Sequence, residues 1–216
     1  MEFYTTISIL SSDFSEVKKT LREAEEAGAA MIHWDVMDGC FVPNLTFGAK
    51  FIDDCRKHTG LIFDTHLMIT SPQTKVAPFL NSSDIVTFHY EAIPAGAENL
   101  IKEIHLAGKK VGISINPSTD PVVLHPYLTK LDFVLLMAVE PGRGGQKLNE
   151  NVYERLKILT EMRRQANALF SITVDGGVDG NNATALRQSG ADGVVLGTSF
   201  VNAHDKKKLI ETVSVI

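Results

Sequence analysis

His33-Trp34-Asp35-Val36-Met37-Asp38-Gly39 follows the short apolar run Met31-Ile32 with a histidine and an aspartate two positions apart. Side chains along a strand alternate faces, so residues i and i+2 point the same way. A strand over 31–35 therefore brings His33 and Asp35 to one point. A comparable pattern recurs in Asp64-Thr65-His66-Leu67-Met68, where His66 ends the run that starts at Leu61-Ile62-Phe63. It recurs again in Ser171-Ile172-Thr173-Val174-Asp175-Gly176-Gly177, which ends in an aspartate and two glycines. Two His and two Asp at the C-terminal ends of three apolar strands form a metal-ligand set, provided that one fold brings those ends together.

Outward from these stretches, short apolar runs alternate with longer amphipathic ones. Strands are predicted at 6–10, 31–35, 61–67, 85–89, 110–115, 133–138, 171–174 and 193–196. Helices are predicted at 15–27, 49–58, 72–80, 98–107, 121–128, 152–168 and 182–189, with a last helical region after Gly197-Thr198-Ser199. Ser12, Asp13 or Ser15 is the expected cap of the first helix and Gly28 its stop. Pro72 suits a first helical position. β-Branched strands alternating with helices imply a parallel sheet covered by helices. Eight such units in 216 residues fit one (β/α)8 TIM barrel domain spanning 1–216, at the compact end of its size range. A doubly wound open sheet is the alternative, but its glycine-rich first turn is absent; that turn reads Leu10-Ser11-Ser12-Asp13.

Composition narrows the function classes. The net charge is −5, from 21 Lys+Arg against 26 Asp+Glu, so a nucleic-acid surface is not expected. Lys206-Lys207-Lys208 is read as a solvated helix face. Cys40 and Cys55 are expected to be reduced thiols. The start, Met1-Glu2-Phe3-Tyr4, has no basic segment followed by a long apolar one, and no apolar stretch reaches membrane-spanning length, so a cytoplasmic protein with no membrane partner is expected.

A barrel places its active site at the C-terminal ends of its strands, where His33, Asp35, His66 and Asp175 all fall. Their mixed nitrogen and oxygen donors suit one divalent ion, Zn, Fe, Mn or Co, without choosing among them. His89, also at a strand end, is read as a structural or supporting residue. Asp38 has a loop-capping reading, and Asp64 shares the strand parity of His66. The turns Asp175-Gly176-Gly177 and Gly197-Thr198-Ser199 follow the seventh and eighth strands, where barrels frequently bind phosphate. Glycine lets backbone approach an anion, and a helix N-terminus directs N–H groups at it. The loop Gly142-Arg143-Gly144-Gly145-Gln146 after the sixth strand has the flexibility to close on a substrate. Met37, Met68 and Met137 fall at strand ends, where soft, uncharged thioethers suit either packing or a site that holds a delocalised anion.

From 8–10 to 197–199, these segments resemble the ribulose-phosphate 3-epimerase family. The resemblance rests on Ile32-His33-Trp34-Asp35-Val36-Met37-Asp38-Gly39, Phe41-Val42-Pro43-Asn44, Asp64-Thr65-His66-Leu67-Met68, Val139-Glu140-Pro141-Gly142 with Gly144-Gly145-Gln146, and Val174-Asp175-Gly176-Gly177-Val178. It implies interconversion of D-ribulose 5-phosphate and D-xylulose 5-phosphate by inversion at C3. It further implies that His33, Asp35, His66 and Asp175 hold the metal and that Asp35 and Asp175 are the acid/base pair. Ser8 and His66 would contact substrate, and the glycine loops with Thr198 would bind its phosphate. A homo-oligomer is expected on the same ground. Three positions depart from the family pattern. Arg143 stands where Phe is usual, Thr198 where Ser is usual, and Ala138 where Thr is usual. The Arg143 guanidinium is expected either to reach the phosphate or to point to solvent. Two other functions fit the same residues: an epimerase of a ketohexose 6-phosphate such as D-allulose 6-phosphate, and a non-catalytic sugar-phosphate-binding paralogue. Retention of all four ligands argues against the last, because binding alone has no need of two opposed carboxylates.

Overall fold

The structure, a computed structural model, describes residues 3–93 and 95–214. Met1 and Glu2, the start of the N-terminal segment read above, lie outside them, as do residues 94, 215 and 216. Eight parallel strands close on themselves in sequence order: β1 Tyr4–Ser8, β2 Met31–Met37, β3 Ile62–Met68, β4 Ile85–His89, β5 Lys110–Ile115, β6 Phe133–Met137, β7 Ser171–Asp175 and β8 Gly193–Leu196. All seven residues of β2 are buried, as expected for a strand with helices on one side and the barrel interior on the other. Trp34 points outward into an aromatic cluster with Phe47, Phe51 and Phe63, at ring separations of 5.1–6.2 Å. His33 and Asp35 point inward.

The outer layer contains α1 Val17–Ala27, α2 Ala49–Arg56, α3 Pro72–Lys75, α4 Ala77–Ser82, α5 Ala97–Leu106, α6 Asn151–Gln165, α7 Ala183–Gln188, α8 Thr198–Val201 and α9 Lys206–Ser214. A 3-10 turn at Phe14–Glu16 precedes α1, and Asp13 caps it by accepting from the Ser15 N–H at 2.9 Å. Gly28 closes α1 with φ +90°, a conformation that costs glycine little.

Two helix predictions are corrected. The segment 72–80 is not one helix; it breaks at Val76 into α3 and α4. Pro78 has no N–H to give the carbonyl of Thr74, and its ring crowds that carbonyl. The segment 121–128 is not an α-helix but a 3-10 turn, Pro121–Leu124, followed by another at Leu128–Lys130. Pro126 has no N–H to give the carbonyl of Val122, so an α-helical ladder cannot continue through it. The link from β5 to β6 therefore carries no α-helix.

The main apolar core lies between strands and helices. At the N-terminal end of the barrel, three aspartates brace the strands. Asp84, Asp132 and Asp192 each precede an even-numbered strand and accept the N–H of Phe63, Val111 or Ile172 at the start of the odd-numbered strand before it. Each also meets a basic side chain from the helix before that odd-numbered strand: Arg56, His105 and Arg163 respectively. Among the described residues no helix is long and apolar enough to cross a membrane, and both cysteines are free, Cys40 exposed and Cys55 buried.

Candidate active site

Strand register assembles the site. Ser8 pairs with His33, His33 with Asp64, and Asp35 with His66 across β1, β2 and β3. On the far side of the barrel mouth, Met137 pairs with Asp175 across β6 and β7. Ligand atoms of His33, Asp35, His66 and Asp175 all lie within 4.8 Å of one another. His33 Nε2 is 3.2 Å from His66 Nδ1, 3.5 Å from an Asp35 oxygen and 3.9 Å from an Asp175 oxygen. His66 Nδ1 is 3.4 Å from the same Asp35 oxygen. A tetrahedral shell with bonds of about 2.1 Å separates its donor atoms by about 3.4 Å. The four groups thus have the spacing and the donor chemistry of a divalent-ion site.

Their surroundings orient them for that task. Asp64 Oδ2 accepts from His33 Nδ1 at 2.7 Å, which leaves Nε2 to face the cluster. Asp64 is therefore a support for His33. Ser8 donates its hydroxyl to Asp35 Oδ2 at 2.6 Å. His89 Nε2 lies 2.8 Å from His66 Nε2, so His89 supports His66. Asp38 caps the loop that follows β2, accepting from the N–H groups of Cys40, Phe41 and Thr70 and from Lys75.

Burial and charge separate the two carboxylates. Burial pushes the Asp175 pKa up, the neighbouring Asp35 and Asp64 push it further, and His33 pulls back, leaving it at about 7. Burial acts on Asp35 in the same sense but is outweighed by His33 and His66, whose charge and hydrogen bonds hold it well below the usual carboxylate range. Burial also lowers His66, to about 4, which keeps it neutral as a ligand must be. For His33 the pull of Asp35 and Asp64 overcomes burial and raises its pKa well above the ordinary value.

Above the cluster is a cavity of about 240 Å³, open to solvent. Ser8, Asp35 and Asp175 reach its floor; Met68 and Met137 form part of its wall. Met37 packs with Val42 and Met68 beneath the loop after β2. The glycine-rich loops line the rest: Gly142, Arg143, Gly144 and Gly145 after β6, Gly176 and Gly177 after β7, Gly197 and Thr198 after β8. Three of these glycines are required by close approach, Gly176 among them, where a Cβ would lie 2.4 Å from Val139 Cγ2. A Cβ on Gly177 would lie 2.3 Å from the Leu148 nitrogen, and one on Gly144 would lie 2.5 Å from Ser11 Oγ. Ser11 was not singled out from sequence. Its hydroxyl is 2.9 Å from Thr198 Oγ1, so the β1 loop adds a second hydroxyl to the glycine-lined end. No motif marks Ser11; only the closure of β8 against β1 brings it there.

Comparison with known proteins accords with the geometry. A family model described as the ribulose-phosphate 3 epimerase family matches residues 5–201. A ribulose-phosphate 3-epimerase of Treponema pallidum is 41% identical over 89% of this chain and 88% of its own length. One from Bacillus subtilis is 38% identical over 95% of both. Among solved structures, a 3-hexulose-6-phosphate synthase superposes with a TM-score of 0.73 at 16% identity over 98% of both chains. The 3-keto-L-gulonate-6-phosphate decarboxylase of Vibrio cholerae does so with a TM-score of 0.75 at 10% identity, covering 99% of this chain and 96% of its own. At those identities the two structures speak for the fold alone. With the family model over most of its length and relatives above 30% identity, the chain belongs to the ribulose-phosphate 3-epimerase family.

Proposed function

We propose that this enzyme, a carbohydrate-phosphate epimerase of the isomerase class, interconverts D-ribulose 5-phosphate and D-xylulose 5-phosphate by moving the C3 proton between two aspartates. The observation that carries the reading is the pair Asp35 and Asp175, two carboxylates in one cluster, one from β2 and one from β7. One serves as base and the other as acid. C3 lies beside the C2 ketone, so its proton can be removed if the resulting negative charge is stabilised. Asp35, ionised, takes the proton from one face; Asp175, protonated, returns one from the other, and the reverse direction exchanges their roles. The Ser8 hydroxyl orients Asp35. His33, Asp35, His66 and Asp175 would hold one divalent ion, with Zn, Fe, Mn and Co all compatible with the donors. When bound, that ion supplies positive charge against the charge developing on the substrate oxygens. Met68 and Met137 wall the reacting centre without offering a competing proton. The glycine loops, Ser11 and Thr198 present N–H and hydroxyl donors to the phosphate at the other end of the cavity.

The test is a coupled assay on D-ribulose 5-phosphate that follows D-xylulose 5-phosphate, before and after chelation and metal return. Chelation is expected to remove turnover and a divalent ion to restore it. Asp35→Asn and Asp175→Asn should each cut kcat by at least about a hundred-fold while substrate still binds. Turnover of D-allulose 6-phosphate but not of the pentose phosphate would reassign the substrate. Turnover that survives chelation would remove the metal from the mechanism.

A further inference from the structure

His33 and His66 are supported differently. His33 meets its carboxylate directly. His66 does not, and the nitrogen facing away from the cluster, Nε2, is 2.8 Å from another imidazole nitrogen, His89 Nε2. A contact of that kind needs one proton, carried by one ring or the other. The far side of His89 shows which. Its Nδ1 lies 3.1 Å from Glu91 Oε2, and an ionised carboxylate only accepts. Glu91 therefore holds a proton on His89 Nδ1, and an imidazole that carries that single proton has a bare Nε2. His66 must then donate from Nε2, which leaves Nδ1 bare and facing His33 Nε2 and Asp35.

Glu91 is itself fixed. It lies in the 3-10 turn Tyr90–Ala92 after β4. Its Oε1 accepts the Asn116 N–H at 2.7 Å and the Thr119 hydroxyl. The Arg155 guanidinium holds the carbonyls of those two residues, at 2.6 and 3.1 Å, and the Met137 carbonyl at 2.8 Å. The His66 and His89 rings stack 4.9 Å apart, fully buried, and Phe41 closes over His89 at 4.8 Å. Water therefore has little access to the bond between the two rings.

We propose that Glu91, acting through His89, is a positioning residue that sets the tautomer of His66 and thereby the affinity of the four-residue cluster for a divalent ion. This rests on the metal reading above and extends it to two residues outside the ligand set. Outer hydrogen-bond partners of metal-bound imidazoles typically change metal affinity by about 10–100-fold.

The experiment uses the full-length chelated protein. Long-range proton–nitrogen NMR of ¹⁵N-labelled protein reads the His66 tautomer directly, with His66→Gln to assign its signals. Competition with a chromophoric chelator reads Mn²⁺ and Zn²⁺ affinity. Wild type should show His66 protonated on Nε2. Glu91→Ala should give a tautomer mixture and bind the ions about 10–100-fold more weakly. Glu91→Gln keeps the bulk, but its single carbonyl oxygen meets the Asn116 N–H and its amide N–H then faces His89 Nδ1, so it should lose the Nε2 tautomer of His66 and the affinity as Glu91→Ala does. His89→Leu, which removes the acceptor at similar bulk, should behave as Glu91→Ala and serves if that variant does not fold. A folded Glu91→Ala or His89→Leu with wild-type tautomer and affinity overturns the proposal. Wild type that binds no divalent ion would instead sink the metal reading, and this inference with it.

Discussion

Arg143, exposed to solvent, lines the cavity at its glycine-rich end. The surrounding loop is pinned rather than slack. Gln146 donates to the carbonyls of Glu140 and Arg143 at 2.7 and 2.9 Å, and Asn44 donates to the Gly142 carbonyl at 3.3 Å. A guanidinium carried there offers a phosphate five fixed donors that a phenyl ring lacks. Arg143→Phe is therefore expected to raise KM several-fold while leaving kcat nearly unchanged, read from steady-state kinetics on D-ribulose 5-phosphate. A large loss of kcat at constant KM would mean that the side chain serves closure or chemistry instead. At this scale the site was unevenly legible. His33, Asp35 and His66 declare themselves by strand parity, and Asp175 by the two glycines after it. Ser11 and Glu91 do not, because neither lies on a periodic element. What places Ser11 beside Thr198, and Glu91 beside His89, is contact between segments 187 and 2 residues apart, the second made only by a 3-10 turn.

The elements were legible where local chemistry agrees with the fold, and misread where a proline or a partner strand overrides it. β4, β5 and β8 match their apolar runs end to end. β1 begins two residues earlier than expected because Tyr4 pairs with Gly193, whose missing side chain leaves room for the tyrosine ring; a Cβ there would lie 2.2 Å from Cε2. The same strand ends at Ser8, whose hydroxyl turns back to accept the Leu10 N–H. Pro78 and Pro126 account for the two misjudged helical segments, and both effects were present in the sequence. The aspartate braces beneath the barrel were not, since each needs its neighbouring strand. They differ in exposure, which ranks them. Side chains of the Asp192–Arg163 pair are 19% and 21% exposed, against 37% and 42% for Asp132–His105. Water can replace the second far better than the first. Asp192→Ala should cost about 1–3 kcal/mol by urea unfolding, from a stranded Ile172 N–H and an unpaired Arg163, and Asp132→Ala no more than about 1 kcal/mol. Equal losses would show that the strand bonds, not the ion pairs, set the cost.

At the scale of the whole molecule, the barrel interior is unusual in its polarity. Branched apolar side chains commonly fill such barrels. Here Thr6, Asp64, Thr87, Ser114 and Thr173 are buried among the strands, and the apolar core lies mainly outside the barrel. Some of these side chains bond to one another: Thr87 donates to Asp64 at 3.2 Å, and Asp64 accepts from His33, whereas the buried Ser114 hydroxyl has no partner among the described residues. A second polar contact lies nearer the other end of the barrel, at Tyr4. There the Tyr4 hydroxyl meets Thr173 Oγ1 at 2.6 Å. Burial raises the Tyr4 pKa, the hydrogen bond to Thr173 opposes this, and the charges of Asp192 and Asp64 add to the rise. The sign of the linkage follows. A group whose folded pKa lies above its unfolded value contributes stability in full below the unfolded value and loses it as pH rises toward the folded one. Ionisation of Tyr4 in the unfolded chain, from about pH 10 upward, therefore draws the protein toward unfolding. Tyr4→Phe forfeits the bond to Thr173, worth about 1 kcal/mol at neutral pH, but has nothing to ionise. Urea unfolding of both proteins should show wild type more stable at pH 8 and the difference narrowing by about pH 11. A difference that stays constant across that range would mean that Tyr4 ionises as readily in the folded barrel as in the open chain, and that the base of the interior is wet.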